Sequence, residues 1–375
     1  MNSYFSREDT KVMKGIAILL MLMHHLWGFP DRIMGGGVLG IFKFMGVSLP
    51  YYLGLYGNIC VSLFFFLGGY GIYINSKEKN FNIVKKIKTL YICYGKVFLV
   101  FVPIAFAFFQ NQPIYCQDEQ ICTRYANFSI AEFLNNLCGI QSTYNSEWWF
   151  LISYIYAIIS FPLIKKIIDK FSDIINICLV LVVGILMQNV FPALGTLDIL
   201  GGLSSNYIYK TFFCQVCPFI SCFWMGCVCA KGNLLLRLKN SLADASLLNP
   251  ILEIFILFFI VFLRNTGIGN GLDLIYVLFI IIFCIDLLER LNGVRRILLC
   301  FGKQSTNMWL IHSFFCYYFS SVVKIVVWPR YAIPSLALLV ILTYAASIGV
   351  TFLWKAVTNV YINVLENLKS KVYKL

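Results

Sequence analysis

The chain has three histidines, His24, His25 and His312, and all three fall inside apolar stretches. Imidazole is the side chain best suited to take and return a proton near neutral pH. Ionisable groups within apolar spans are costly and by default mark function. Lys14 stands eleven residues before His25. On an α-helix eleven residues advance about 1100°, about 20° past three turns, and about 16 Å along the axis. The ammonium and the imidazole therefore share one helix face, the lysine at one end and the histidine deeper. Such a face suits an anionic carrier at one end and a proton acceptor at the other. Plainer readings stand beside this one. A neutral histidine can simply bond a backbone carbonyl, and a lysine at a helix start can snorkel as a topology anchor.

The element that carries these residues follows from composition. The 375 residues are 60% hydrophobic and 13% charged, with a mean hydropathy of +0.79. A soluble domain averages about 25% charged residues, so a soluble globular protein is excluded, and so is a disordered chain. The 17% of aromatic residues suit a lipid-facing surface edged by Tyr and Trp. A span needs about 20 apolar residues, and ten segments qualify, near 13–30, 52–74, 90–109, 148–168, 174–191, 211–230, 248–264, 271–288, 298–321 and 334–360. The expected fold is all-α, a polytopic transmembrane bundle of about ten spans forming a single membrane domain over 1–375. With the N-terminus in the cytoplasm, twenty of the 30 Lys and Arg residues fall on inner segments and seven on outer ones, Arg264 among the seven. That asymmetry predicts cytoplasmic termini, and it accounts for the net charge of +13 without a nucleic-acid partner. The segment Gly15–Trp27 lacks an A-x-A-like site after it and reads as the first span rather than a cleaved leader.

Other motifs carry less. Gly35-Gly36-Gly37-Val38-Leu39-Gly40 matches G-x-G-x-x-G, but dinucleotide binding needs a strand before it and a helix after it. Here it follows a membrane helix on the outer side, and an outer loop is expected. Of 14 cysteines, all but Cys116, Cys122 and Cys138 lie in or beside apolar segments, where a thiol packs as a small hydrophobe. The run Cys214-Gln-Val-Cys217, with Cys222, Cys227 and Cys229, has no histidine nearby and no second CxxC, so packing is expected rather than metal. Cys116 and Cys122 share an outer loop, where a disulfide and two free thiols are both open outcomes.

Several elements carry a resemblance. Asp9-Thr10-Lys11-Val12-Met13-Lys14-Gly15-Ile16-Ala17-Ile18, running on to His25, resembles the opening of the acyltransferase 3 family, in which a basic residue, ten intervening residues and a histidine mark the first helix. Val61-Ser62-Leu63-Phe64-Phe65-Phe66-Leu67-Gly68-Gly69-Tyr70 is similar to its Phe-rich second helix. Glu147-Trp148-Trp149-Phe150-Leu151, continuing to Phe161-Pro162-Leu163, is similar to its Trp-Phe-Leu helix. Phe301-Gly302-Lys303-Gln304-Ser305 through Trp309-Leu310-Ile311-His312 resembles its late Gly-x-x-Ser to Leu-x-His element. The chain departs from the family at two of these positions. Lys14 replaces the usual Arg, which loses a bidentate fork for phosphate, and Gly68 stands where Ser is common, which removes that hydroxyl.

The resemblance implies an integral membrane O-acyltransferase. The group moved is most often acetyl from acetyl-CoA, delivered to a hydroxyl of an extracytoplasmic polysaccharide or lipid-linked sugar. A sugar hydroxyl is a poor nucleophile, and a positioned histidine can take its proton as it attacks the thioester. His25 is the expected base, with His24 beside it and His312 as helper. Glu147 would bond the acceptor or orient a histidine, or else is an interfacial charge. Lys14, Lys85, Lys86 and Lys88 would hold the coenzyme A phosphates, or else are ordinary positive-inside charge. The expected partners are membrane lipid and a glycan acceptor, the co-substrate is acyl-CoA, and no metal is expected. The alternative is a transporter or flippase of lipid-linked sugars, which would more often show paired broken helices in two matching halves. An envelope polymerase would place Arg and His in a large outer loop, whereas Gln110–Glu147 holds one Arg and no His.

Overall fold

The computed structural model describes residues 5–33, 37–44, 46–110, 124–190, 207–266 and 270–372. Helix α1 (Arg7–Trp27) opens with a capping box. The Ser6 hydroxyl accepts the Asp9 amide at 3.1 Å, and the Asp9 carboxylate accepts the Ser6 amide at 2.9 Å. A two-residue hairpin, β1 (Lys43–Phe44) with β2 (Val47–Ser48), follows in the connection after α1. Then come α2 (Leu49–Gly57), α3 (Ile59–Asn75), α4 (Ile83–Phe108), α5 (Ile130–Leu137), α6 (Trp149–Lys170) and α7 (Asp173–Asn189). A π-turn at Phe212–Val216 leads into α8 (Cys217–Gly232), followed by α9 (Leu234–Asp244), α10 (Pro250–Arg264) and α11 (Asp273–Arg290). The chain ends with α12 (Asn292–Ser313), α13 (Ser320–Val327) and α14 (Ala332–Val372). The all-α class expected from composition is the class observed.

Each of the ten expected segments is helical, but they do not all have the form of a simple span. Among the described residues, five stretches are long and apolar enough to cross a membrane, namely Leu49–Asn75, Ile83–Phe108, Ser146–Lys170, Tyr209–Gly232 and Ala332–Val364. A sixth is a broken pair, Asn292–Tyr318 with Ser320–Val327, bent by 88°. The other four fall short for local reasons. Helices α7 and α10 have 17 and 15 residues, fewer than the roughly 20 that cross a hydrocarbon core. Helix α1 carries Lys11, Lys14, His24 and His25, and α11 carries Asp273, Asp286, Glu289 and Arg290.

Helix α1 is central. Val12, Met13, Ala17, Ile18 and Leu22 are fully buried, and α1 packs directly along α12. A Cβ on Gly302 would overlap the Lys11 carbonyl, so only glycine lets the two backbones meet there. Arg295 at the start of α12 closes the contact with a 2.6 Å ion pair to Asp9. The histidines of both helices are thereby brought to the same level.

The sequence reading of one continuous span over 298–321 is corrected. After Ser313 the chain makes a π-turn, Phe314–Tyr318, and breaks at Phe319, whose backbone leaves the helical region (φ −94°, ψ 87°). Aromatic stacking holds the break. The Phe319 ring lies on Phe109 at 4.1 Å and 4°, and Phe314 lies on Phe101 at 5.0 Å.

Arg264, counted among the outer charges, is buried, with Nε and Nη2 bonded to the two Asp273 oxygens at 2.7 and 3.0 Å. Its Nη1 donates to the carbonyls of Leu55 and Tyr56, and Ser62 donates to Asp273 at 2.6 Å. The pair locks α10 and α11 to the α2–α3 junction. Cys116, Cys122, Gly35 and Gly36 lie outside the described residues. Cys217, Cys222, Cys227 and Cys229 are buried within α8.

Candidate active site

His24 and His25 occupy the last turn of α1, where the helix gives out and Gly28 caps it through the His24 carbonyl at 2.9 Å. The carbonyls of the final turn have no partners within the helix. The Tyr317 hydroxyl supplies one, donating to the His25 carbonyl at 2.6 Å. The same hydroxyl lies 3.1 Å from His25 Nδ1. A hydroxyl has one proton, and a carbonyl only accepts, so Tyr317 must accept from Nδ1–H. In the neutral ring this leaves Nε2 with its lone pair.

His24 and His312 are set the same way. His24 Nδ1 donates to the Gly54 carbonyl at 2.8 Å, and His312 Nδ1 to the Trp309 carbonyl at 2.6 Å. Each neutral ring again keeps a bare Nε2. That of His312 is buried with no hydrogen-bond partner among the described residues. The rings cluster, with His25 at 5.1 Å from His24 and 4.7 Å from His312, centroid to centroid. Phe29 stacks on His25 at 6.0 Å and 29°. Among the described residues no group of three or more His, Cys, Asp or Glu is placed to hold a metal ion.

Glu147 sits in a 3-10 turn, Ser146–Trp148, ahead of α6, and is 6% exposed. Its backbone amide is capped by Asn145 Oδ1 at 3.1 Å, an oxygen that also accepts Ser313 Oγ at 2.9 Å. The Trp148 indole donates to the Leu310 carbonyl at 3.0 Å, so the start of α6 is stapled to the end of α12. The Glu147 carboxylate accepts the Tyr318 hydroxyl at 2.6 Å and faces Arg32 at 3.8 Å. Arg32 lies over the Phe29 ring at 4.4 Å. The Tyr318 ring in turn carries the Arg124 guanidinium at 4.4 Å.

Two cavities connect these groups to the lysines. A chamber of about 430 Å³ is lined by the three histidines, Arg32 and Glu147, with walls of Phe64, Phe150 and Trp309. A larger vestibule of about 830 Å³ is lined by Arg7, Lys11, Lys85, Lys86, Asn82 and Thr10. Lys14, Leu90, Tyr154 and Thr306 line both, and form the neck between them. Lys14 and His25 therefore do share one face, and both line the chamber. Neither Lys14 nor Lys86 has a carboxylate partner among the described residues. Lys85 is exposed at the vestibule rim. Lys88 is exposed and outside the lining of either cavity.

Sequence reasoning missed Arg32, Tyr154, Tyr317 and Tyr318. Arg32 was legible only as one of seven outer charges. The two tyrosines follow His312 in a π-turn, whose i→i+5 hydrogen bonds shift the register of a 3.6-residue periodicity. Tyr154 answers the missing hydroxyl at position 68. A Cβ on Gly68 would overlap the Tyr154 hydroxyl, so a hydroxyl does stand there, delivered from α6.

Against families of known proteins, residues 9–357 match the family model described as an acyltransferase domain, of the acyltransferase 3 type. No curated protein and no solved structure matches the chain.

Proposed function

Because the chain belongs to the acyltransferase 3 family, and so is a multi-pass membrane acyltransferase, we propose that it moves an acyl group, acetyl in the first instance, from cytoplasmic acyl-CoA to a hydroxyl of an extracytoplasmic polysaccharide or lipid-linked sugar. In this reading ten helical segments cross the membrane or enter it, both termini are cytoplasmic, and the vestibule opens to the cytoplasm.

One observation carries the reading. A cationic vestibule and a histidine chamber share Lys14 at a common neck. Unpaired cations beside a cavity suit a polyanion, and the coenzyme A phosphates are polyanionic. Lys14, Lys85 and Lys86 hold them, while the slender pantetheine arm passes the neck and presents its thioester in the chamber. Lys88 takes no part.

In the chamber His25 Nε2 takes the proton of the acceptor hydroxyl as its oxygen bonds to the thioester carbonyl carbon. The C–S bond breaks, the sulfur leaves as thiolate, and the imidazolium returns its proton to it. The products are an acyl ester and free coenzyme A. His312 Nε2 accepts a hydrogen bond from the bound reactants, and His24 packs against His25. Glu147 and Arg32, at the far end from Lys14, bind the acceptor and hold it toward His25.

The test is transfer of label from radiolabelled acetyl-CoA into envelope glycan, in membranes with wild type or His25→Ala at matched expression. Incorporation by wild type and its loss in the variant are expected. Label surviving in the variant would remove His25 as base, and no label from wild type would reject acetyl-CoA or the glycan.

A further inference from the structure

The Tyr317 hydroxyl bridges the backbone carbonyl and the side chain of the same residue, His25. The carbonyl belongs to the frayed last turn of α1 and takes the single hydroxyl proton, which leaves only a lone pair to face Nδ1. Tyr317 is 5% exposed, and its ring stands edge-on to His25 at 5.9 Å and 79°. Phe29 and His312 hold other sides of the imidazole through ring contacts. The next residue, Tyr318, donates to Glu147 from the same π-turn. One five-residue turn thus sets both the imidazole and the carboxylate of the chamber.

We infer that Tyr317 is a positioning residue. By capping the His25 carbonyl it is forced to accept from Nδ1–H, and it thereby fixes the tautomer and ring plane that present a bare Nε2 to the chamber. This rests on the reading of His25 as the base. The bridge is selective in a way that an ordinary packing contact is not. A phenylalanine at 317 keeps the ring but leaves the carbonyl without a donor and Nδ1 without an acceptor, so the imidazole proton is free to move to Nε2 and block it.

The experiment uses the full-length chain in nanodiscs, labelled with ¹⁵N-histidine, in which three imidazoles give the whole side-chain spectrum. His25 is assigned by the signals that vanish in His25→Ala. Wild type is expected to carry the His25 proton on Nδ1. Tyr317→Phe is expected to shift both His25 nitrogens toward a tautomer mixture while the His24 and His312 signals stay in place. Tyr318→Phe removes the neighbouring hydroxyl and should leave His25 as in wild type. A wild-type proton on Nε2, no change in Tyr317→Phe, or an equal change in Tyr318→Phe would each overturn the proposal. If Tyr317→Phe does not fold, the wild-type spectrum decides, since a through-space correlation between the His25 Nδ1 proton and the Tyr317 ring is expected and its absence is disproof. The spectrum needs no turnover, so its failure is distinct from failure of the acyl-transfer reading. With acyl-CoA as substrate, Tyr317→Phe should lower kcat about tenfold or more with KM for the donor held within about twofold.

Discussion

The Tyr318 hydroxyl donates a 2.6 Å hydrogen bond to the Glu147 carboxylate across 171 positions of sequence. It joins the break after α12 to the turn that opens α6, and it leaves the second carboxylate oxygen facing Arg32 at 3.8 Å. Glu147 is therefore a buried carboxylate held in one orientation.

Replacing that anion by an amide keeps an acceptor for Tyr318 but removes the charge. Glu147→Gln should weaken use of the acceptor about tenfold, in line with loss of one hydrogen bond to a charged group. KM for acyl-CoA should not change, because the lysines lie beyond the neck. Initial rates against varied acceptor and varied donor separate the two. A variant that alters donor KM alone would place Glu147 in the wrong half of the reaction.

The lysines should divide by position, not by charge. Lys14→Ala and Lys86→Ala each remove an unpaired cation from the cavity path. A hydrogen bond to a charged group is worth about 1.5–3 kcal/mol, so donor KM should rise about 10- to 100-fold. Lys88→Ala, on the exposed side, should behave as wild type. Equal effects at 86 and 88 would mean that general surface charge, not a phosphate site, governs the donor.

Gly68 keeps the neck open. A valine there must displace the Tyr154 hydroxyl, and Tyr154 lines both cavities. Gly68→Val should abolish most acyl transfer while the vestibule still binds free coenzyme A, as measured by isothermal titration calorimetry on the purified chain. Gly68→Val combined with Tyr154→Ala should restore part of the rate. Full activity in the single variant would show that nothing passes this neck.

The Arg264–Asp273 pair does not line the chamber and serves as a stability element. Removing one partner of a buried ion pair costs about 3–5 kcal/mol, so Asp273→Asn should lower the Tm of the detergent-solubilised chain by several degrees. The double variant Arg264→Met with Asp273→Leu should recover much of that loss. A single variant as stable as wild type would mean that water reaches the pair.

Sequence alone determined the solvent and the face that Lys14 and His25 share. Its apolar content and long apolar segments required a membrane bundle, since no polar surface remained to cover a soluble one. The interval between Lys14 and His25 put both on one side of α1 because helix geometry is fixed by the backbone and independent of its neighbours. Local order also carried the family's marks, including the Trp-Phe-Leu start of α6 and the element ending at His312.

Tertiary structure decided the rest, because those facts concern partners that are far apart in the chain. Which of four lysines faces a cavity depends on how α4 is turned against α1, and Lys88 could not be told from Lys86 by composition. The hydroxyl absent at Gly68 returned from Tyr154, on another helix. Arg264 counted as an outer charge until folding set its guanidinium against the carbonyls of Leu55 and Tyr56 on a remote helix as well as on nearby Asp273. The tautomer of His25 was set by Tyr317, whose position depends on a π-turn and on the Phe319–Phe109 stack that holds the break. A hydrogen bond has direction as well as distance, and direction between remote side chains exists only once the backbone between them is folded.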